Sequence, residues 1–273
     1  MSDYAFDEAT ALTPAGEDRW DGAITDGWAT PRGPLGGYVM AIVMRGFELA
    51  IGDPARTARS ATMHFTRPPD VGPVRVEAKV ERAGRSLTTV TGRLSQGDTL
   101  IGLALGAYSP PWEAPALEDT ERMPEVEPPE GREPLSVGPR KGAPPPDFAQ
   151  RVTMQPRFGD TPFSGGSSGE VGGWMGLIEE RPLDALSLAV LADAWFPAPW
   201  PRLTEFAAAP TIDLTVHFRV GLPLRDQLLL GRFRNRMVRD GFFDEDGELW
   251  TPDGTLVAQS RQLALLIGAK APE

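Results

Sequence analysis

The apolar and polar positions of this chain fall into a pattern that occurs twice. Gly36 to Ala50 (GGYVMAIVMRGFELA) carries Tyr38, Val39, Met40, Ala41, Ile42, Val43 and Met44 in one unbroken run. A surface helix shows one apolar stripe, whereas a helix apolar nearly all round must be enclosed. Leu183 to Phe196 (LDALSLAVLADAWF) reads the same way, interrupted only by Asp184, Ser187 and Asp193. Alternating segments follow each helix. In the first half they are a strand ending at His64-Phe65, then Val74 to Arg82, Leu87 to Ser95 and Thr99 to Ser109. In the second half they are Thr211 to Val220, Gln227 to Val238, Gly247 to Thr251 and Thr255 to Ile267. Turn signals such as Gln96-Gly97-Asp98 and Pro252-Asp253-Gly254 join them, which makes antiparallel meanders rather than parallel βαβ units. The His-Phe pair recurs at an offset of 153 and the Thr-Leu pair (Thr99-Leu100, Thr255-Leu256) at 156. The pattern predicts an α+β fold in which a curved antiparallel sheet wraps a buried helix, made twice.

Composition divides the chain further. Eleven of the 28 prolines fall between Pro110 and Pro146, among many glutamates. Proline removes a backbone donor and fixes φ, so no helix or central strand runs through this stretch. The expected organisation is therefore an N-terminal unit over 1–109, a connector over 110–150 and a C-terminal unit over 151–273. With 27 Lys+Arg against 38 Asp+Glu, the net charge of −11 argues against nucleic acid or an anionic membrane as partner. Cysteine is absent, which excludes disulfides, thiolate metal sites and a cysteine nucleophile, and the two histidines, His64 and His217, exclude a histidine-rich metal centre. No metal or cofactor is expected. The acidic start MSDYAFDEAT lacks the features of a secretion signal, and no window is apolar enough to span a bilayer, so a cytoplasmic location is the expectation.

Certain residues carry a family likeness. They are the helix entry Gly33-Pro34-Leu35-Gly36-Gly37, the segment His64-Phe65-Thr66-Arg67-Pro68, Thr211-Ile212-Asp213 with its strand, and Asp253 to Gln262 (DGTLVAQSRQ). In these the chain resembles thioesterase-like proteins of the acyl-CoA thioesterase II superfamily, whose fold is a tandem or double hotdog. The resemblance implies hydrolysis of acyl-CoA, no cofactor and a homodimer. It also implies a site in which an Asp, a Thr or Ser, and a Gln hold the attacking water. By position the Asp falls on Asp213 and the Gln on Gln262, while the hydroxyl residue falls on or near Asn235. There the chain departs from the family pattern, because an amide cannot relay a proton as a hydroxyl can.

The residues themselves support part of this. Strict alternation puts Ile212, Leu214, Val216 and Phe218 on one face of their strand, and Thr211, Asp213, Thr215 and His217 on the other. An Asp in a β-branched strand is locally disfavoured, and a site would explain it. At the two offsets Ser60 stands in place of Asp213 and Gly106 in place of Gln262, so one of two quasi-equivalent sites is expected to survive. Gly36 and Gly37 leave free amide N–H groups at a helix start, where a thioester carbonyl could be polarised. Trp28 just before them, with Trp174, Trp195 and Trp200, could line an acyl pocket. Arg232, Arg234 and Arg236 share a strand face and suit either coenzyme A phosphates or pairing with nearby carboxylates. Gly165-Gly166-Ser167-Ser168-Gly169 fits the G-x-S-x-G nucleophile pattern but lacks the strand before it and the helix after it. The rival readings are a non-catalytic acyl- or aromatic-ligand carrier and, ranked last, a hydratase.

Overall fold

The structure is a computed structural model that describes residues 4–112, 121–134 and 145–268. Glu113, Pro115, Glu118, Pro139 and Pro144 of the connector lie outside the described residues. A short helix α1 (Ala5–Ala9) precedes the hairpin β1 (Thr13–Gly16) and β2 (Arg19–Ile24), and a smaller one, β3 (Ala29–Thr30) with β4 (Gly33–Pro34). Helix α2 (Gly36–Ile51) follows, then β5 (Thr57–Phe65), β6 (Gly72–Ala83), β7 (Thr88–Gln96) and β8 (Thr99–Ser109). The second half runs β9 (Val152–Phe158), β10 (Glu170–Leu177), α3 (Ala185–Leu191), β11 (Thr211–Phe218), β12 (Leu229–Arg234), β13 (Val238–Arg239), β14 (Phe242–Trp250) and β15 (Leu256–Leu265). Among the described residues no helix is long and apolar enough to cross a membrane.

Both predicted helices form. The run from Tyr38 to Met44 is buried throughout, and α2 stops where Gly52 takes the left-handed conformation (φ 64°) that glycine adopts without penalty. Helix α3 is shorter than Leu183 to Phe196. It starts at a capping box, in which the Asp184 carboxylate accepts from the Ser187 N–H at 2.8 Å and Ser187 Oγ accepts from the Asp184 N–H at 2.9 Å. It ends at Leu191, ahead of Pro197 and Pro199. The two helices touch at Gly37: a Cβ there would lie 2.5 Å from the Ala189 carbonyl oxygen. Glycine is needed for that approach.

Two separate sheets do not form. Twelve strands make one continuous antiparallel path, β1-β2-β6-β7-β8-β5-β11-β15-β14-β12-β10-β9, with β13 attached to β14. The join is β5 against β11, with Thr62 opposite Thr215 and their hydroxyls 2.9 Å apart. Thr215 lies 153 residues after Thr62, so the axis relating the halves passes between these two side chains. Each half thereby covers an edge strand that would otherwise be open.

The registers show the duplication more strongly than the letters do. Leu214 pairs with Gln262 in the second half, and Ala61, 153 residues earlier, pairs with Gly106, 156 earlier. A β-bulge between Thr211 and Asp213 has its counterpart between Ala58 and Ser60, against the matching positions of the neighbouring strand. The described connector residues 121–134 are packed rather than free. Met123 and Val126 cover Trp174, Leu228, Leu230 and Trp250 on the sheet face away from the helices. The Trp174 indole donates to the Glu127 carbonyl at 2.7 Å, and Arg132 reaches Asp226 at 2.9 Å.

Candidate active site

Gln262 is 9% exposed and sits on the face of β15 that looks toward the helices, opposite the buried Leu214. Its amide oxygen accepts from the Thr211 hydroxyl at 2.9 Å, and its amide nitrogen donates to Glu245 Oε1 at 2.8 Å. Thr211 reaches this face because of the bulge: Thr211 pairs with Ala264, whereas Asp213 pairs with Leu263. Directly opposed residues share a face, so one extra residue sends Thr211 inward and leaves Asp213 on the outer face with the exposed His64 and Leu263. Asp213 is therefore not brought to Gln262. Strict alternation placed Thr211 and Asp213 together, and the bulge separates them.

The carboxylate on the inner side is Asp193, just beyond the end of α3. Its Oδ2 accepts from the Gly37 N–H at 2.8 Å, and the Gly36 N–H also bonds to it. The helix start expected to receive a thioester carbonyl thus holds an acid instead. A Cβ on Gly36 would lie 3.0 Å from that carboxylate and 3.3 Å from the Phe65 ring. Burial pushes Asp193 up to about 7, against the pull of the two N–H groups.

Glu245 connects these parts. It is 3% exposed on β14, directly opposite Gln262, and its Oε2 accepts from the Ala198 N–H at 2.6 Å. Ala198 lies five residues after Asp193 in the segment that follows α3. Burial pushes Glu245 up to about 7, and the negative charges of Asp193 and Asp244 add to the rise while the bonds from Ala198 and Gln262 oppose it. The interior thus contains two carboxyls poised near neutrality, an amide and a hydroxyl, with Asp193 at the start of α2 and the others on the adjoining sheet face. An open hollow of about 450 Å³ lined by Phe163, Thr204, Glu205 and Phe206 adjoins the loop between Asp193 and Thr211.

The other expected residues have different tasks. Asn235 is buried at the end of β12 with its amide fully engaged: it donates to the Met237 and Asp244 carbonyls (2.9 and 2.7 Å) and accepts from Arg202. These bonds join it to neither Gln262 nor Thr211. Trp28, 2% exposed, stacks on Tyr38 at 4.9 Å with Phe6 edge-on at 5.6 Å, which makes it core. Trp174 lies under the connector, Trp195 stacks against Phe233 at 6.0 Å, and Trp200 packs with Phe163 and Phe206 near the hollow. The arginine stripe is spent on carboxylates: Arg232 on Glu248 (2.6 Å) and Glu121 (2.7 Å), Arg234 on Glu248 (3.2 Å), Arg236 on Asp246 (3.2 Å). Gly165 to Gly169 lies between two strands, β9 and β10, which is no nucleophile elbow.

The first half lacks the polar set at the matching places. Ala58 stands for Thr211 behind the same bulge, and Gly106 for Gln262. Val90, opposite Gly106, stands for Glu245. Met44, nine residues after the α2 N-cap, stands for Asp193, nine after the α3 N-cap. Phe47 and Tyr108 occupy the space, since a Cβ on Gly106 would meet their rings at 2.9 and 3.0 Å.

Comparison with known proteins agrees with this duplication. Residues 24–109 match the model of the acyl-CoA thioesterase N-terminal domain and 119–266 that of the C-terminal domain. A conserved hot dog protein of unknown function from Alicyclobacillus acidocaldarius is 27% identical, with all of both chains covered and a TM-score of 0.86. A candidate thioesterase II from Thermobifida fusca YX is 28% identical (96% of this chain, 97% of that one, TM-score 0.80). An acyl-CoA thioesterase II, TesB2, from Mycobacterium marinum shares the fold at 19% identity (99% and 98% covered, TM-score 0.75). No curated protein matches. The two domain matches together span nearly the whole sheet and both helices, and the chain belongs to the acyl-CoA thioesterase family.

Proposed function

We propose that this protein hydrolyses acyl-CoA thioesters at the inner site of its second half, with the two halves acting as tandem hotdog modules and Asp193 as the base. What supports the reading is that Thr211 and Gln262 lie on the helix-facing side of the sheet and are linked through Glu245 to Ala198, in the segment that follows Asp193. A water donating one proton to Asp193 and the other to Thr211 Oγ1 keeps a lone pair for the thioester carbon. Thr211 is suited to accept, since its own proton is committed to Gln262. The second N–H of the Gln262 amide remains for the oxygen that gains charge. As the tetrahedral intermediate collapses, the carbon–sulfur bond breaks and the proton held by Asp193 passes to the departing thiolate, giving a carboxylic acid and coenzyme A. Since a base must be ionised to act, the rise of Asp193 to about 7 puts the acid limb of kcat/KM near neutral pH.

The test is thiol release from a panel of short-, medium- and long-chain acyl-CoAs by purified protein. Turnover of at least one, with an acid limb close to pH 7, is the expected result. Bound acyl-CoA without turnover across the panel would leave a ligand carrier as the function.

A further inference from the structure

The hydroxyl–amide pair has a direction, and Glu245 sets it. A glutamine side chain can turn over, exchanging its oxygen and nitrogen at little cost unless its partners forbid it. Thr211 forbids nothing, because a hydroxyl donates or accepts equally well. The Gln262 nitrogen, however, lies 2.8 Å from Glu245 Oε1, which only accepts once Glu245 is ionised, above about pH 7. Glu245 is held in turn by the Ala198 N–H at 2.6 Å on its other oxygen. Once those two bonds are made, the Gln262 oxygen must face Thr211, the hydroxyl must donate to it, and the lone pairs of Thr211 are left for a water. Reversing the amide would make Thr211 a donor to that water, which occupies one of its lone pairs, leaves its second proton without this acceptor and lowers its nucleophilicity.

We propose that Glu245 is a positioning residue, which fixes the polarity of the Thr211–Gln262 hydrogen bonds and whose negative charge bears on the neighbouring Asp193. This rests on the reading of Asp193 as the base. The ionised groups facing Glu245 are Asp193, from the end of α3, and Asp244, from its own strand. Asp244 points to the opposite sheet face, where Arg261 pairs with it at 3.2 Å. Asp193 is therefore the partner whose titration is coupled to that of Glu245, and the coupling acts equally in both directions. The first half bears on the same point: where Gly106 replaces Gln262, no carboxylate is kept opposite it and the place is taken by Val90.

The experiment compares wild type, Glu245→Gln and the exchange variant Glu245→Gln/Gln262→Glu. In the single variant two amides face each other and one must turn. A drop in kcat of about 10²-fold with KM changed less than about twofold is expected, together with an acid limb of kcat/KM shifted to lower pH. The exchange variant again gives Thr211 an acceptor and Ala198 a carbonyl, and keeps one negative charge beside Asp193. Because it also removes the Gln262 N–H offered to the oxyanion, its kcat is expected to stay low, while the Asp193 midpoint returns toward the wild-type value. NMR titration of the Asp193 carboxyl carbon supplies a readout independent of turnover, with the midpoint moving to lower pH in Glu245→Gln. An unchanged Asp193 midpoint in that variant overturns the proposal whether or not acyl-CoA is the substrate. So does a single variant that keeps wild-type kcat. Wild-type protein without turnover, but with the shifted Asp193 midpoint, upholds the charge coupling and removes the thioesterase reading instead.

Discussion

At the scale of single residues, the candidate site turns on which polar groups in apolar surroundings have another explanation. Helix α3 and its flanks carry three such interruptions in sequence. Asp184 and Ser187 cap the helix, and their spacing of three residues is a recognisable start signal. That leaves Asp193 as a carboxylate with no capping task in an enclosed segment, and such a residue is the one to examine first. Gln262 was legible because its strand alternates without interruption. Thr211 and Asp213 were not separable, since a bulge adds one residue without a reliable mark in the letters. Glu245 was hidden in Asp244-Glu245-Asp246, an acidic run that resembles a solvated turn although it lies inside β14. Thr211→Val tests the bulge argument. It keeps the side-chain volume but removes the hydroxyl, and kcat is expected to fall about 10²-fold while Thr211→Ser retains activity within about tenfold. Steady-state kinetics on the preferred acyl-CoA checks both.

At the scale of elements, periodicity identified the helices and most of the strands, because burial on one face imposes a repeat of two on strands and burial all round leaves a continuous apolar run. It did not reveal that β5 and β11 join the halves into one sheet, since edge pairing is a backbone interaction with little demand on side-chain type. The connector was legible as proline-rich and extended, but its packing over Trp174 and Trp250 depends on a few contacts by Met123 and Val126. The contact between α2 and α3 rests on Gly37. Gly37→Ala pushes a methyl into the Ala189 carbonyl and the Val190 backbone, neither of which can turn away. A loss of about 1–3 kcal/mol in unfolding free energy is expected, as for other overpacked sites, with the Gly37–Asp193 bond displaced and kcat reduced. Denaturant melts at fixed pH measure the first effect; an unchanged midpoint would mean that the helices separate at no cost.

At the scale of the molecule, duplication supplies two frames with matching registers, but only the second is furnished for chemistry. Thr211, Gln262, Glu245 and Asp193 meet Ala58, Gly106, Val90 and Met44 as their counterparts, and rings fill the first frame. The division of labour is physical: buried carboxyls are costly to ionise, and the polar set is kept on one side. The direct test of the account is a side-by-side measurement of acyl-CoA hydrolysis by Asp193→Asn and Asp213→Asn. The inner-face acid is expected to be indispensable, with kcat lowered by about 10³-fold or more; the outer-face variant should stay within about twofold of wild type. Loss of activity in Asp213→Asn with full activity in Asp193→Asn would contradict the assignment and place the chemistry on the opposite face of the sheet.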